Sequence, residues 1–180
     1  MVKIVSSPAT HIAETRSIFM IMKAATIQEL KQELQHTSLK DITELCLRLA
    51  RFKKENKELL TYLLFEADDA EAYAENVKAF MQEAFQEVNT VNLYFAKKNL
   101  RKILRQVNKY IKFTGNRQTE AILLIHFCSL LKDSGIDIQK STALNNMYAQ
   151  QVKKIKAAIA VLHEDIQYDL AKDMKKLLLQ

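Results

Sequence analysis

Residues 93–135 read LYFAKKNLRKILRQVNKYIKFTGNRQTEAILLIHFCSLLKDSG. Both glycines of the 180-residue chain stand here, Gly115 and Gly135, each directly after a run with helical periodicity. In the first run Leu93, Ala96, Leu100, Ile103, Leu104, Val107, Tyr110 and Ile111 recur at spacings of three and four, which is one apolar stripe on a helix. A glycine just past such a stripe is the left-handed residue that ends it. In the second run, Arg117 to Ser134, the apolar residues Ile122, Leu123, Leu124, Ile125, Phe127, Leu130 and Leu131 point in every direction. A helix that is apolar all round belongs at the centre of a bundle. The stretch therefore predicts an amphipathic helix followed by a central one, in an all-α fold.

The rest of the chain agrees. Two glycines and one proline in 180 residues leave too few turn formers for a sandwich or barrel. Neither G-x-G-x-x-G nor G-x-x-x-x-G-K can be written, so nucleotide sites built on those loops are excluded. Upstream, Thr26 with Glu29 has the capping-box form, and Ser38 with Asp41 repeats the signature. Leu39, Ile42, Leu45, Cys46 and Leu49 then make a stripe, broken at 53–57 and followed by a short helix from Leu59 to Phe65. Asp68-Asp69 caps a helix with core face Tyr73, Val77, Phe80, Met81, Ala84, Phe85 and Val88. Downstream, Leu144, Ile155, Ile166 and Leu177 recur every eleven residues, as do Tyr148, Ile159 and Leu170. An eleven-residue repeat keeps a stripe straight, so a single C-terminal helix of about 38 residues is expected. Part of it should lack an intrachain partner, which suggests self-association, or it should lie diagonally over the rest.

The expectation is a single domain over residues 26–180, of six or seven antiparallel helices joined by short connectors. It takes the form of an irregular bundle or a stack of helical hairpins. Residues 1–25 read as an N-terminal extension, with a weak helix start at Ser7-Pro8 and alternative starts at Met20 and Met22. The longest near-apolar run, Ala121 to Leu131, is short of the roughly 20 residues a bilayer demands. No secretory signal is evident, and the chain is read as cytoplasmic. Cys46 and Cys128 match no paired motif and read as two reduced core thiols.

Catalytic patterns are missing. His11 and His36 have no partner at ligand spacing, and His126 and Cys128, two apart, point to different sides of a helix. His163-Glu164-Asp165 is not H-E-x-x-H, and no Glu-x-x-His occurs for a helical di-iron site. No catalytic residue, metal, cofactor or small-molecule ligand is expected, and the chain is read as not an enzyme.

Charge is the informative feature. Residues 88–119 hold no acid, yet they carry Lys97, Lys98, Arg101, Lys102, Arg105, Lys109, Lys112 and Arg117. The chain as a whole is +6, so the remainder is net negative. At 100° per residue the seven from Lys97 to Lys112 lie within an arc of about 140° opposite the apolar stripe. Tyr94, Asn99, Gln106 and Asn108 accompany them. The preceding helix is the mirror case, with Glu66, Asp68, Asp69, Glu71, Glu75, Glu83 and Glu87 against the single base Lys78. The ridge is thus a candidate partner surface, for an acidic protein or for nucleic acid bound without sequence preference. The alternatives are charge complementation with the 66–87 helix or a merely solvated face.

At Lys57-Glu58-Leu59-Leu60-Thr61-Tyr62-Leu63-Leu64-Phe65-Glu66-Ala67, Asn99-Leu100-Arg101-Lys102-Ile103-Leu104-Arg105 and Ile125-His126-Phe127-Cys128 the chain resembles a family of uncharacterised all-helical bacterial proteins. The likeness covers most residues after Thr26 and implies no activity. The hairpin layout is also loosely similar to armadillo/HEAT-type folds, which bind proteins and sometimes DNA; that likeness is one of fold and transfers no site. The expected function is a non-catalytic binding or scaffold protein acting through helix faces.

Overall fold

The structure is a computed structural model that describes residues 24–179. The Ser7-Pro8 helix start, His11, the alternative starts at Met20 and Met22 and the extension up to residue 23 lie outside the described residues.

Among the described residues the chain is all-helical, with eight helices: α1 (Ile27–Gln35), α2 (Leu39–Phe52), α3 (Lys54–Phe65), α4 (Ala70–Gln86), α5 (Leu93–Thr114), α6 (Arg117–Asp133), α7 (Thr142–Ile159) and α8 (Glu164–Leu179). The helix starts follow local chemistry. Thr26 and Glu29 form the reciprocal capping box, with Thr26 N–H donating to Glu29 at 2.7 Å. Asp69 accepts from Ala72 N–H at 2.9 Å, and Asn92 and Asn116 cap α5 and α6 in the same way. Gly115 and Gly135 take φ of +58° and +71°, the left-handed conformation in which a Cβ is strained.

Among the described residues the chain divides into two compact units, one ending at Leu45 and one beginning at Cys46. The dividing point falls inside α2. No residue of α1 or α2 is buried. In the second unit the core runs from Tyr62 to Leu177 and centres on α6. This helix packs against α4, α5, α7 and α8; Leu123, Leu124, Phe127, Cys128 and Leu131 are fully buried, and Ile122 and Ile125 on its other side are half-buried against the core. Tyr62, Tyr73, Phe80, Tyr110 and Phe113 form an aromatic cluster where α3, α4 and α5 meet, its closest rings 4.6 Å apart.

The single C-terminal helix is not formed, and its break takes the count beyond the expected six or seven, to eight among the described residues. The backbone turns at Ala160–His163 without glycine or proline. Ala160 N–H closes α7 onto the Lys156 carbonyl at 3.0 Å, and Leu162 N–H donates to the Ile159 carbonyl at 3.0 Å. His163 C=O then accepts the first bond of α8 from Gln167 at 2.9 Å. Glu164 and Asp165 occupy the first turn of α8, where carboxylates favour a helix N-terminus. The eleven-residue repeat did locate core residues, since Leu144, Ile155, Leu170 and Leu177 are all buried. It placed them on one axis where there are two. The length that suggested an unpartnered segment is also gone, because α8 packs on α6 and α7 and Lys132 donates to the Leu177 carbonyl.

The cysteines differ from expectation in one respect. Both are free, but only Cys128 is buried; Cys46 is half-buried. Burial pushes the Cys128 thiol up to about 12, the Lys132 ammonium opposing only in part. Since the thiolate is the reactive form, iodoacetamide at about pH 8 should modify one thiol per native chain and two in denaturant. Two fast thiols in the native protein would contradict the burial of Cys128.

Candidate binding surface

Helix α5 holds its apolar stripe in the core through Ala96, Leu100, Ile103, Val107 and Ile111. That contact fixes the rotation of the helix and turns the basic residues outward. Lys98, Arg101, Lys102, Arg105 and Lys112 are exposed, while Lys97 and Lys109 are half-buried. The sequence-derived ridge is therefore a single solvent-facing row with two flanks.

Among the described residues no ridge cation lies within ion-pair distance of an acid between Glu66 and Glu87. Glu75 pairs instead with Lys78 of its own helix at 2.7 Å. The helices α4 and α5 meet through apolar side chains, and Lys102 and Glu87 merely line the same shallow groove of about 290 Å³ with Phe80, Asn99 and Gln106. Among the described residues the one ridge residue with a carboxylate partner is Lys109, whose Nζ lies 2.7 Å from Glu58 Oε2 on α3. Lys109 is thus a strut between helices. Arg117, beyond the ridge, pairs with Glu120 at 2.7 Å. Lys97, Lys98, Arg101, Lys102, Arg105 and Lys112 have no such partner among the described residues.

The structure adds a residue that the sequence reading passed over. Lys154 of α7 donates to Asn108 Oδ1 of α5 at 3.2 Å. Asn108 stands beside Lys97 and Arg101 on the helical wheel, so the cationic row continues onto α7. Its signal was available, because residues 138–163 also contain no acid and hold Lys140, Lys153, Lys154 and Lys156. At the other end of the row, Tyr94 is 68% exposed and Phe95 50%. Their rings meet edge to face at 5.5 Å.

Other polar groups make no comparable arrangement. His163 accepts from Asp165 N–H and closes the start of α8. His126 lies in a cleft with Lys78 of α4, Ser129 and Asp133 of α6, and Asp173 and Lys176 of α8. Its Nε2 is buried with no hydrogen-bond partner among the described residues. Burial first, and then the Lys78 ammonium, pull its pKa below the ordinary value, with Glu75 opposing. As pH falls the unfolded chain takes up this proton before the folded one does. The contribution to stability is therefore complete above about 6.5 and is lost as pH drops through the lowered folded-state value. Between about pH 7.5 and pH 5 the wild type should lose more thermal stability than His126→Gln; equal losses would show that His126 is protonated as easily folded as unfolded. Among the described residues no group of three or more His, Cys, Asp or Glu side chains is placed to hold a metal ion, and no helix is long and apolar enough to cross a membrane.

Compared with family models, with curated proteins and with solved structures, the chain finds no match.

Proposed function

We propose that this protein is a non-catalytic binding protein whose working surface is the α5 ridge and whose partner is a polyanion. One observation carries the reading: six cations stand in a row on a rigid, core-anchored helix with no carboxylate partner among the described residues. Like charges held this close repel one another and raise the energy of the unliganded surface. A polyanion removes that repulsion and releases its own condensed counterions on binding. Lys154 extends the row onto a second helix, which favours a partner broader than one helix face.

Retention on heparin tests this directly. The wild type should bind at about 50 mM salt and elute late in a salt gradient. The variant Lys98→Glu/Arg101→Glu/Arg105→Glu should flow through while keeping the wild-type circular dichroism, since all three side chains are exposed. Wild-type protein that does not bind heparin or any other polyanion at that salt removes the proposal.

A further inference from the structure

Resting on that polyanion reading, we propose that the ridge binds single-stranded nucleic acid, with phosphates along Lys98, Arg101, Arg105 and Lys112 and a base stacked on Tyr94. The argument begins with position. At 100° per residue, Tyr94 points in the same direction as Lys112 and within about 40° of Lys98, Arg101 and Arg105. It is therefore the first member of the cationic row. Tyr94 is 68% exposed; Tyr168 and Phe52 are as open, at 74% and 77%, but neither lies on α5 beside the cations. Phe95 sets the ring from one side by the edge-to-face contact at 5.5 Å, so one broad ring surface stays open to solvent.

A row of cations ending in an open aromatic face is the arrangement that single strands require. Their phosphates take the charges, and their unpaired bases present π-faces to stack. A duplex keeps its base faces stacked internally, and the carboxylates of an acidic peptide do not themselves cover Tyr94. From Tyr94 to Lys112 the row is about 27 Å long at 1.5 Å per residue, long enough for a strand of several nucleotides. Glu87 at the edge of the groove beside Lys102 repels phosphate there, which directs the strand along the opposite flank, toward Asn108 and Lys154.

Fluorescence anisotropy of the full chain at about 50 mM salt tests the inference, with labelled twelve-nucleotide oligo-dT and oligo-rU, a twelve-base-pair duplex, heparin and poly-glutamate as probes. The expected result is tighter binding of at least one single strand than of the duplex. Tyr94→Ala should weaken that strand by about 5-fold or more, as the loss of one base–aromatic stack does. Tyr94→Phe should bind as the wild type, and heparin affinity should be unchanged in both variants. The relative affinity of oligo-dT and oligo-rU tells DNA from RNA. Tyr94→Ala with undiminished strand binding overturns the stacking site. Binding of heparin or poly-glutamate without either single strand overturns the inference and leaves the polyanion surface standing, poly-glutamate alone pointing to an acidic protein. Failure to bind every probe overturns both.

Discussion

Replacing Phe127 with alanine is expected to lower the unfolding free energy by about 3–5 kcal/mol. Phe127 is fully buried on α6, the helix that touches four others, and its ring meets Phe85 of α4 edge to face at 5.5 Å. Removing the ring takes away its transfer free energy and that aromatic contact together. It also leaves a cavity whose walls belong to several helices, so no single element can shift to close it. Domains of this size are stable by roughly 5–15 kcal/mol, and the substitution consumes a large share of that. Urea denaturation, followed by far-UV circular dichroism, measures the change. Phe52→Ala is the matched control: that ring is 77% exposed, and its loss should stay within about 0.5 kcal/mol. Near-equal effects of the two substitutions would mean that α6 is not the centre of the core.

The second large effect is on binding. With Lys98, Arg101, Arg105 and Lys112 engaged, the logarithm of affinity for a single strand should fall with the logarithm of salt at a slope of about −3. Raising salt from about 50 to 200 mM would then weaken binding by about 50-fold. The variant Lys98→Glu/Arg101→Glu/Arg105→Glu not only deletes three phosphate contacts but places three repulsive charges among those that remain. No strand binding should be measurable for it at the lower salt. Lys109→Ala should scarcely change the slope, because its ammonium is already engaged with Glu58. A wild-type slope near zero would mean that phosphates are not the groups recognised.

Much of this was legible because α5 and α6 obey local rules. Gly115 and Gly135 mark helix ends by the one backbone conformation that excludes ordinary side chains, and the stripe from Ala96 to Ile111 fixes which way Arg101 and Arg105 face. The turn at Ala160–His163 escaped for the opposite reason. It contains no glycine or proline, and the apolar rhythm runs through it unbroken because both α7 and α8 bury their stripes in the same core. Periodicity reports which side chains go inside but not whether one axis carries them. Asn108–Lys154 is a contact between residues 46 apart in sequence, which no spacing rule reaches. The acid-free stretch around Lys154 was visible in composition but overshadowed by the stronger one before it. The exposure of Tyr94 was a matter of packing: its wheel position was readable, whereas the absence of anything covering it was not.

The uneven distribution of buried side chains also sets a hierarchy of opening. Breaking α1 uncovers no buried side chain, since it has none, so its amides should exchange with solvent deuterium through small local fluctuations. Those in the middle of α6 are released only when the helices around it separate, and their exchange should track global unfolding. Within one short chain, protection should rise from nearly nothing at Ile27–Gln35 to the full stability of the molecule around Leu124 and Phe127.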